Sequence, residues 1–263
     1  MLSDTLATID VCGVKTAYMV AGQGHPIVYL HGAATLEGFS FLESLTDRFR
    51  VIVPYHPGYG PGQDGDGLLG AQDLIVHYMD FIEAIGLERP HLFGFSMGGW
   101  LAAELAIFYG EHLGSIVLAA PAGLEIESIP CPDLGDIPLS EFPAYLAHNV
   151  SVAERFFPGG EAAPDEAVFD IDRARDAKAE ALLARPFGMG HPNMERWLRR
   201  IKNSVKIYWG KEDRMVPAAY LDRWLKALPG AEHMLIGNAG HFVMLEQPAV
   251  LNDVAAYFTR VGV

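Results

Sequence analysis

The stretch His91-Leu92-Phe93-Gly94-Phe95-Ser96-Met97-Gly98-Gly99-Trp100 decides the fold. An apolar run from Pro90 to Phe95 reads as a buried strand, and a helix starts near Met97, so Ser96 falls on the turn between them. Glycines two residues either side of the serine suit a turn so tight that a Cβ at Gly94 or Gly98 would collide with neighbouring backbone, lifting the Ser96 hydroxyl clear of the sheet. The helix N-terminus beneath it supplies free N–H groups and a positive partial charge where an oxyanion would form. A surface serine on a glycine-rich turn has the same local pattern, so the rest of the chain must decide between the two.

Outward from that turn the design repeats. Short apolar runs at 26–32, 50–54 and 115–120 read as further buried strands. Between them, Leu74, Tyr78, Phe81, Ile82 and Ile85 recur at helical spacing over 71–86, and Gly86 ends that helix. Strand, helix, strand implies a parallel sheet. The alternation resumes with a strand at 203–209, a helix at 217–228, a strand at 232–236 and a helix at 246–260. Residues 122–200 break the rhythm with Pro130, Pro132, Pro138, Pro143, Pro158 and Pro164, then helical pieces at 140–156 and 165–184. The expected architecture is α/β: a core of residues 1–121 and 201–263 with helices on both faces of a mostly parallel sheet, and a helical cap inserted at 122–200.

Composition narrows the function classes. In 263 residues, hydrophobic types at 50% are enough for one large core, and charged types at 20% exclude a highly charged disordered chain. A net charge of -14 repels phosphate backbones and anionic membrane surfaces, so neither nucleic acid nor membrane is an expected partner. Cys12 and Cys131 lie far apart and outside any paired motif, which favours a reduced, cytoplasmic protein without a metal or redox centre. The opening Met1-Leu2-Ser3-Asp4 has no basic start before a long apolar run, so no targeting segment is expected, and no stretch reaches the ~18 apolar residues of a membrane span.

A serine hydroxyl is a poor nucleophile at neutral pH and needs a histidine base, with a carboxylate to fix the tautomer of that histidine. Asp213 lies in the loop after the 203–209 strand, and His241 in the loop after the 232–236 strand. Separately, the first reads as a helix cap and the second as an ordinary loop residue. Together, Ser96, Asp213 and His241 in that chain order are what three loops at the carboxyl edge of one parallel sheet would deliver. Glu125, after the 115–120 strand, is the alternative acid; His56 and His233 read as structural or surface histidines.

On these residues the chain resembles the α/β-hydrolase superfamily over almost its whole length. His31-Gly32-Ala33-Ala34 is similar to the family's oxyanion segment, and Pro57-Gly58-Tyr59-Gly60 to its Pro-Gly-aromatic-Gly loop, with Tyr55 where many relatives have Asp. The resemblance implies backbone donors at Ala33 and Met97, with Ala34 the alternative, and no metal or organic cofactor. A serine nucleophile disfavours the dehalogenase and epoxide hydrolase branches, which need a carboxylate there. The ring-cleavage carbon–carbon hydrolases usually carry a glycine-richer segment after the His-Gly pair and a Trp after the catalytic His, where this chain has Ala33-Ala34 and Phe242. The perhydrolase branch has an aromatic residue at the position of Ala33. The resemblance therefore implies hydrolysis of a small carboxylic ester, thioester or lactone by a monomer or homodimer. Carbon–carbon bond hydrolysis is the alternative, and a non-catalytic ligand receptor the alternative of another class.

The inserted segment is rich in soft apolar groups, among them Phe142, Tyr145, Phe156, Phe157, Phe169, Phe187, Met189, Met194 and Trp197, most of them expected to form its own core. Gly188-Met189-Gly190-His191-Pro192 is a candidate hinge or pocket lip. Residues 173–226 hold 13 basic and 6 acidic side chains, against 4 and 13 in residues 1–121. Within that excess Arg196, Arg199 and Arg200 share a helix face, which favours a solvated surface over an anion site.

Overall fold

The computed structural model describes residues 6–62, 64–65 and 67–262. Eight strands form one sheet: β1 (Leu6–Val11), β2 (Val14–Ala21), β3 (Pro26–Leu30), β4 (Arg50–Pro54), β5 (His91–Phe95), β6 (Ile116–Ala119), β7 (Val205–Gly210) and β8 (Glu232–Ile236). Their spatial order is β1-β2-β4-β3-β5-β6-β7-β8. From β4 onward every pair is parallel; β1 and β2 pair antiparallel with each other, and β2 with β4. The helices are α1 (Ala71–Ala84), α2 (Met97–Tyr109), α3 (Phe142–Leu146), α4 (Val150–Glu154), α5 (Glu166–Leu183), α6 (Met194–Trp197), α7 (Ala219–Ala227), α8 (Val243–Glu246) and α9 (Ala249–Val261).

The six strands read from apolar runs are all present, within two or three residues of their expected ends. β5 and β6 are buried at every position, as central strands covered on both faces must be. No apolar run announces the β1–β2 hairpin. Its first strand alternates exposed and half-buried residues at the sheet edge, so it lacks the continuous apolar run that betrays a central strand. It turns at Cys12-Gly13, with Gly13 at φ +91° and its N–H on Asp10 Oδ1 at 2.9 Å.

Between β6 and β7 the chain forms helices α3 to α6 and no strand. The helix expected over 140–156 is two short ones, α3 and α4, because Ala147 takes an extended conformation between them. Parallel strands bring their C-terminal ends to one edge of the sheet, and the loops after β3, β5, β7 and β8 all leave from it. Among the described residues no helix is long and apolar enough to cross a membrane. The expected absence of a leader rests on residues 1–4, outside the described residues.

Candidate active site

Ser96 sits at φ +53°, ψ −117°, a conformation that residues with a side chain rarely adopt. The neighbouring glycines explain how the turn closes. A Cβ on Gly94 would stand 2.3 Å from the Gly98 carbonyl oxygen, and one on Gly98 would stand 2.0 Å from that of Leu30. The Ser96 backbone is held by its N–H on Ala119 O at 3.0 Å, and its carbonyl accepts from Gly99, Trp100 and Ala122. The strained turn is thus over-determined by β6 and α2.

His241 and Asp213 meet across the ends of β7 and β8. His241 Nδ1 lies 2.8 Å from Asp213 Oδ2, with both side chains almost wholly buried. The other carboxylate oxygen, Oδ1, accepts from the backbone N–H groups of Met215 and Val216, each at 2.9 Å. With Oδ1 so engaged, Oδ2 faces the ring, and a carboxylate there fixes the Nδ1–H tautomer, leaving Nε2 free as an acceptor. The loop before His241 is packed against the end of β7: a Cβ on Gly210 would meet the Gly240 carbonyl oxygen at 2.1 Å. Glu246 of α8 holds the Gly240 N–H on Oε2 and the Asn149 N–H on Oε1, both at 2.6 Å, and so ties the histidine loop to the helical segment.

Ser96 and His241 line one narrow cleft, partly open to solvent, together with Ala33 and Ala34. Leu134, Phe142, Leu146 and Arg173 close it from the segment between β6 and β7, and Glu37, Phe95, Met215 and Phe242 from the rest of the chain. Met97 is fully buried, and its N–H is the first of α2, beyond the reach of any intrahelical acceptor. Among the described residues the N–H groups of Ala33, Ala34 and Met97 donate to no backbone acceptor.

The loop carrying Ala33 is anchored by two histidines. The His56 N–H donates to His31 Nε2 at 3.0 Å, so His31 carries its proton on Nδ1 and donates to Gly32 O at 2.7 Å. His56 Nε2 in turn donates to His31 O at 2.9 Å, leaving its Nδ1 to accept from the Tyr78 hydroxyl. Burial drives both rings toward the neutral form, His56 down to about 4. His56 is therefore structural, as the sequence suggested. Tyr55, at the departure from the family pattern, packs its ring where a Cβ on Gly60 would lie.

Other sequence candidates fall outside the cleft. Glu125 is exposed, and it is Asp213 that binds His241. His233 is exposed on β8. Gly188, Gly190 and His191 line a different cavity, against α1 and α2, rather than the lip of the cleft. Arg196, Arg199 and Arg200 are exposed and away from it. Of the lid aromatics named from the sequence, Phe142 reaches the cleft, Phe157 and Phe169 are buried in the helical segment's packing, and Phe156 packs edge-on against Phe242 behind the cleft. The two ionisable cleft residues besides His241, Glu37 and Arg173, escape sequence reasoning, as do the apolar Leu134 and Leu146. Neither Glu37 nor Arg173 sits in a motif, and only the docking of α5 over the loop after β3 brings them together.

A mostly parallel sheet that delivers a serine on a strained strand-to-helix turn and a carboxylate-bound histidine to one cleft defines a class, the α/β hydrolases. The comparison with known proteins agrees: residues 27–254 match the model of the alpha/beta hydrolase family, and the chain belongs to that family. It is similar to the dihydrolipoyllysine-residue acetyltransferase component of the acetoin cleaving system of Cupriavidus necator, 28% identical over 257 residues. That alignment covers 90% of this chain and 64% of the acetyltransferase, so the chain spans about two thirds of that relative's length. It is also similar to the 2-hydroxy-6-oxo-6-phenylhexa-2,4-dienoate hydrolase of Comamonas testosteroni, 27% identical over 280 residues, with 95% and 93% of the two chains covered. Among solved structures, a membrane phospholipase A described as a bacterial virulence factor shares the fold with a TM-score of 0.82 at 20% identity, covering 98% of this chain and 86% of that one. Membership of this hydrolase family supports an enzyme.

Proposed function

We propose that the chain is a serine hydrolase that cleaves a small carboxylic ester, thioester or lactone through an acyl-enzyme. The observation that carries this reading is the buried 2.8 Å bond between His241 Nδ1 and Asp213 Oδ2, made behind a cleft that Ser96 also lines. In the proposed mechanism His241 Nε2 takes the Ser96 proton as Oγ attacks the carbonyl carbon, and Asp213 stabilises the imidazolium. The N–H groups of Ala33 and Met97, or of Ala34 in place of Ala33, bind the developing oxyanion; one such donor typically contributes about 3 kcal/mol. His241 then protonates the leaving alcohol or thiol, and a water deprotonated by the same ring releases the acid. No metal or organic cofactor enters these steps.

Residues 122–200 act in this reading as a lid on a core of residues 1–121 and 201–263, supported by the four cleft residues they contribute. The free, exposed thiols of Cys12 and Cys131 suit a reducing, cytoplasmic setting.

One observation favours a second reading, hydrolysis of a carbon–carbon bond in a carboxylate-bearing substrate. Arg173 puts a cation in the cleft, and the Comamonas relative acts on a dienoate. Ester cleavage is preferred because an alcohol leaves with one proton from His241, whereas a carbon leaving group must also be stabilised as it departs. Steady-state rates with p-nitrophenyl acetate, a γ-lactone and a 2-hydroxy-6-oxodienoate separate the readings. Ester or lactone turnover that is lost in Ser96→Ala supports the first. Dienoate cleavage exceeding ester cleavage by a hundredfold or more would replace it with the second. No turnover in any arm would leave the receptor alternative.

A further inference from the structure

Apart from His241, two ionisable side chains line the cleft, Glu37 and Arg173. Leu36, Leu134, Phe142, Leu146, Met215 and Phe242 give it apolar walls. Arg173 is accounted for within its own segment: its guanidinium packs over the Phe142 ring at 4.9 Å and faces Asp176 and Glu180 of α5. Glu37 is not so accounted for. It is 8% exposed, and among the described residues no side chain hydrogen-bonds or ion-pairs with its carboxyl. Held only by its own backbone N–H, such a carboxyl regains less than it loses in solvation unless what enters the cleft supplies a further bond.

We propose that Glu37 is a specificity-determining residue of this cleft, its carboxyl hydrogen-bonding an acceptor oxygen of the substrate, an ether or keto group outside the scissile linkage. The inference rests on the hydrolase reading and deepens it, selecting oxygen-bearing substrates over hydrocarbon ones.

The surroundings decide whether the group donates or accepts. Asp176 of α5 faces Glu37 and lies against the Thr35 backbone; Tyr29 of β3 faces it from the sheet; Arg173 and His241 complete the charged and titratable groups around the cleft. Burial, opposed in part by a bond from its own backbone N–H and aided by the Asp176 charge, pushes the Glu37 carboxyl up to about 8. At neutral pH it is an acid with one O–H to give, so it prefers an acceptor and discriminates against an anion less than a carboxylate would. The Tyr29 hydroxyl, which faces Glu37, makes no hydrogen bond in this structure, so it does not engage the carboxyl.

Two isosteric pairs test this: p-nitrophenyl methoxyacetate against p-nitrophenyl butanoate, and 2-methoxyethyl acetate against butyl acetate, placing the oxygen on either side of the ester. The readout is the ratio of kcat/KM within a pair, compared between variants, so the intrinsic reactivity of each ester cancels. In at least one pair the wild-type ratio exceeds that of Glu37→Leu by about 3- to 10-fold, the size of one net hydrogen bond, while Glu37→Gln, which keeps a donor, retains most of it. The wild-type preference declines as pH rises through about 8 and the acid loses its proton, and the Glu37→Gln ratio stays flat. Ratios equal in wild type and Glu37→Leu for both pairs, with thermal unfolding showing both proteins folded, would overturn the proposal. Ester turnover that survives Ser96→Ala would instead overturn the hydrolase reading beneath it, so the two failures are distinguishable.

Discussion

Replacing Asp213 with Asn should remove most of the activity while keeping the shape of the site. Asp213 Oδ1 accepts two backbone N–H groups, those of Met215 and Val216. An asparagine must keep its carbonyl oxygen on those donors, because turning its NH2 toward them would set donor against donor in a buried place. Its NH2 then faces His241 Nδ1, which must become the acceptor, and the ring proton moves to Nε2. The wrong nitrogen is protonated, and the base for Ser96 is gone. A tautomer error of this kind lowers kcat by about 10³- to 10⁴-fold, equivalent to about 4 to 5.5 kcal/mol of transition-state stabilisation. The assay is kcat/KM for p-nitrophenyl acetate, with a thermal unfolding scan to establish that Asp213→Asn is folded. Retention of more than about a tenth of wild-type activity would refute the reasoning, since it would mean that His241 does not depend on this carboxylate for its tautomer.

Further outcomes follow from the supports of the site. Glu246→Leu frees the Gly240 and Asn149 N–H groups that hold the histidine loop to the helical segment, and should lower kcat about 10- to 100-fold with a smaller change in KM, measured by steady-state kinetics. Stability should fall on both sides of a maximum in mildly acidic solution. The buried carboxyls of Glu37 and Asp176 have folded values near 8 and 7, above those of the unfolded chain, so their contribution is complete below about pH 4 and is lost as pH rises through 7 to 8. His56 and His77 are depressed to about 4, so their contribution is present above about pH 6.5 and is lost as pH falls toward 4. Unfolding midpoints across this range should show the alkaline decline reduced in Glu37→Gln; an unchanged decline would remove Glu37 from that linkage.

What the sequence revealed, and what it hid, follows from the range of the interactions involved. Ser96, Met97 and their flanking glycines are legible because the turn is local: its steric demands fall on residues two positions apart. Asp213 and His241 are legible through chain order and through the strands that precede them, since a parallel sheet sends every such loop to the same edge. The β1–β2 hairpin is hidden because its first strand is an exposed edge without an apolar run. Glu37 and Arg173 are not legible, because they share a cleft only through the way α5 docks over the core, and no local pattern encodes a placement that joins residues 136 positions apart in sequence. The arginines that sequence density singled out, Arg196, Arg199 and Arg200, are solvated, and the cleft's cation is one helix earlier.

The central claim, that Ser96 is made nucleophilic by His241, is tested most directly by covalent labelling with a fluorophosphonate followed by peptide mass spectrometry. One adduct per chain on the peptide carrying Ser96, abolished in folded His241→Ala, is the predicted result. An unlabelled Ser96 in the wild-type protein, or labelling undiminished in His241→Ala, would contradict it.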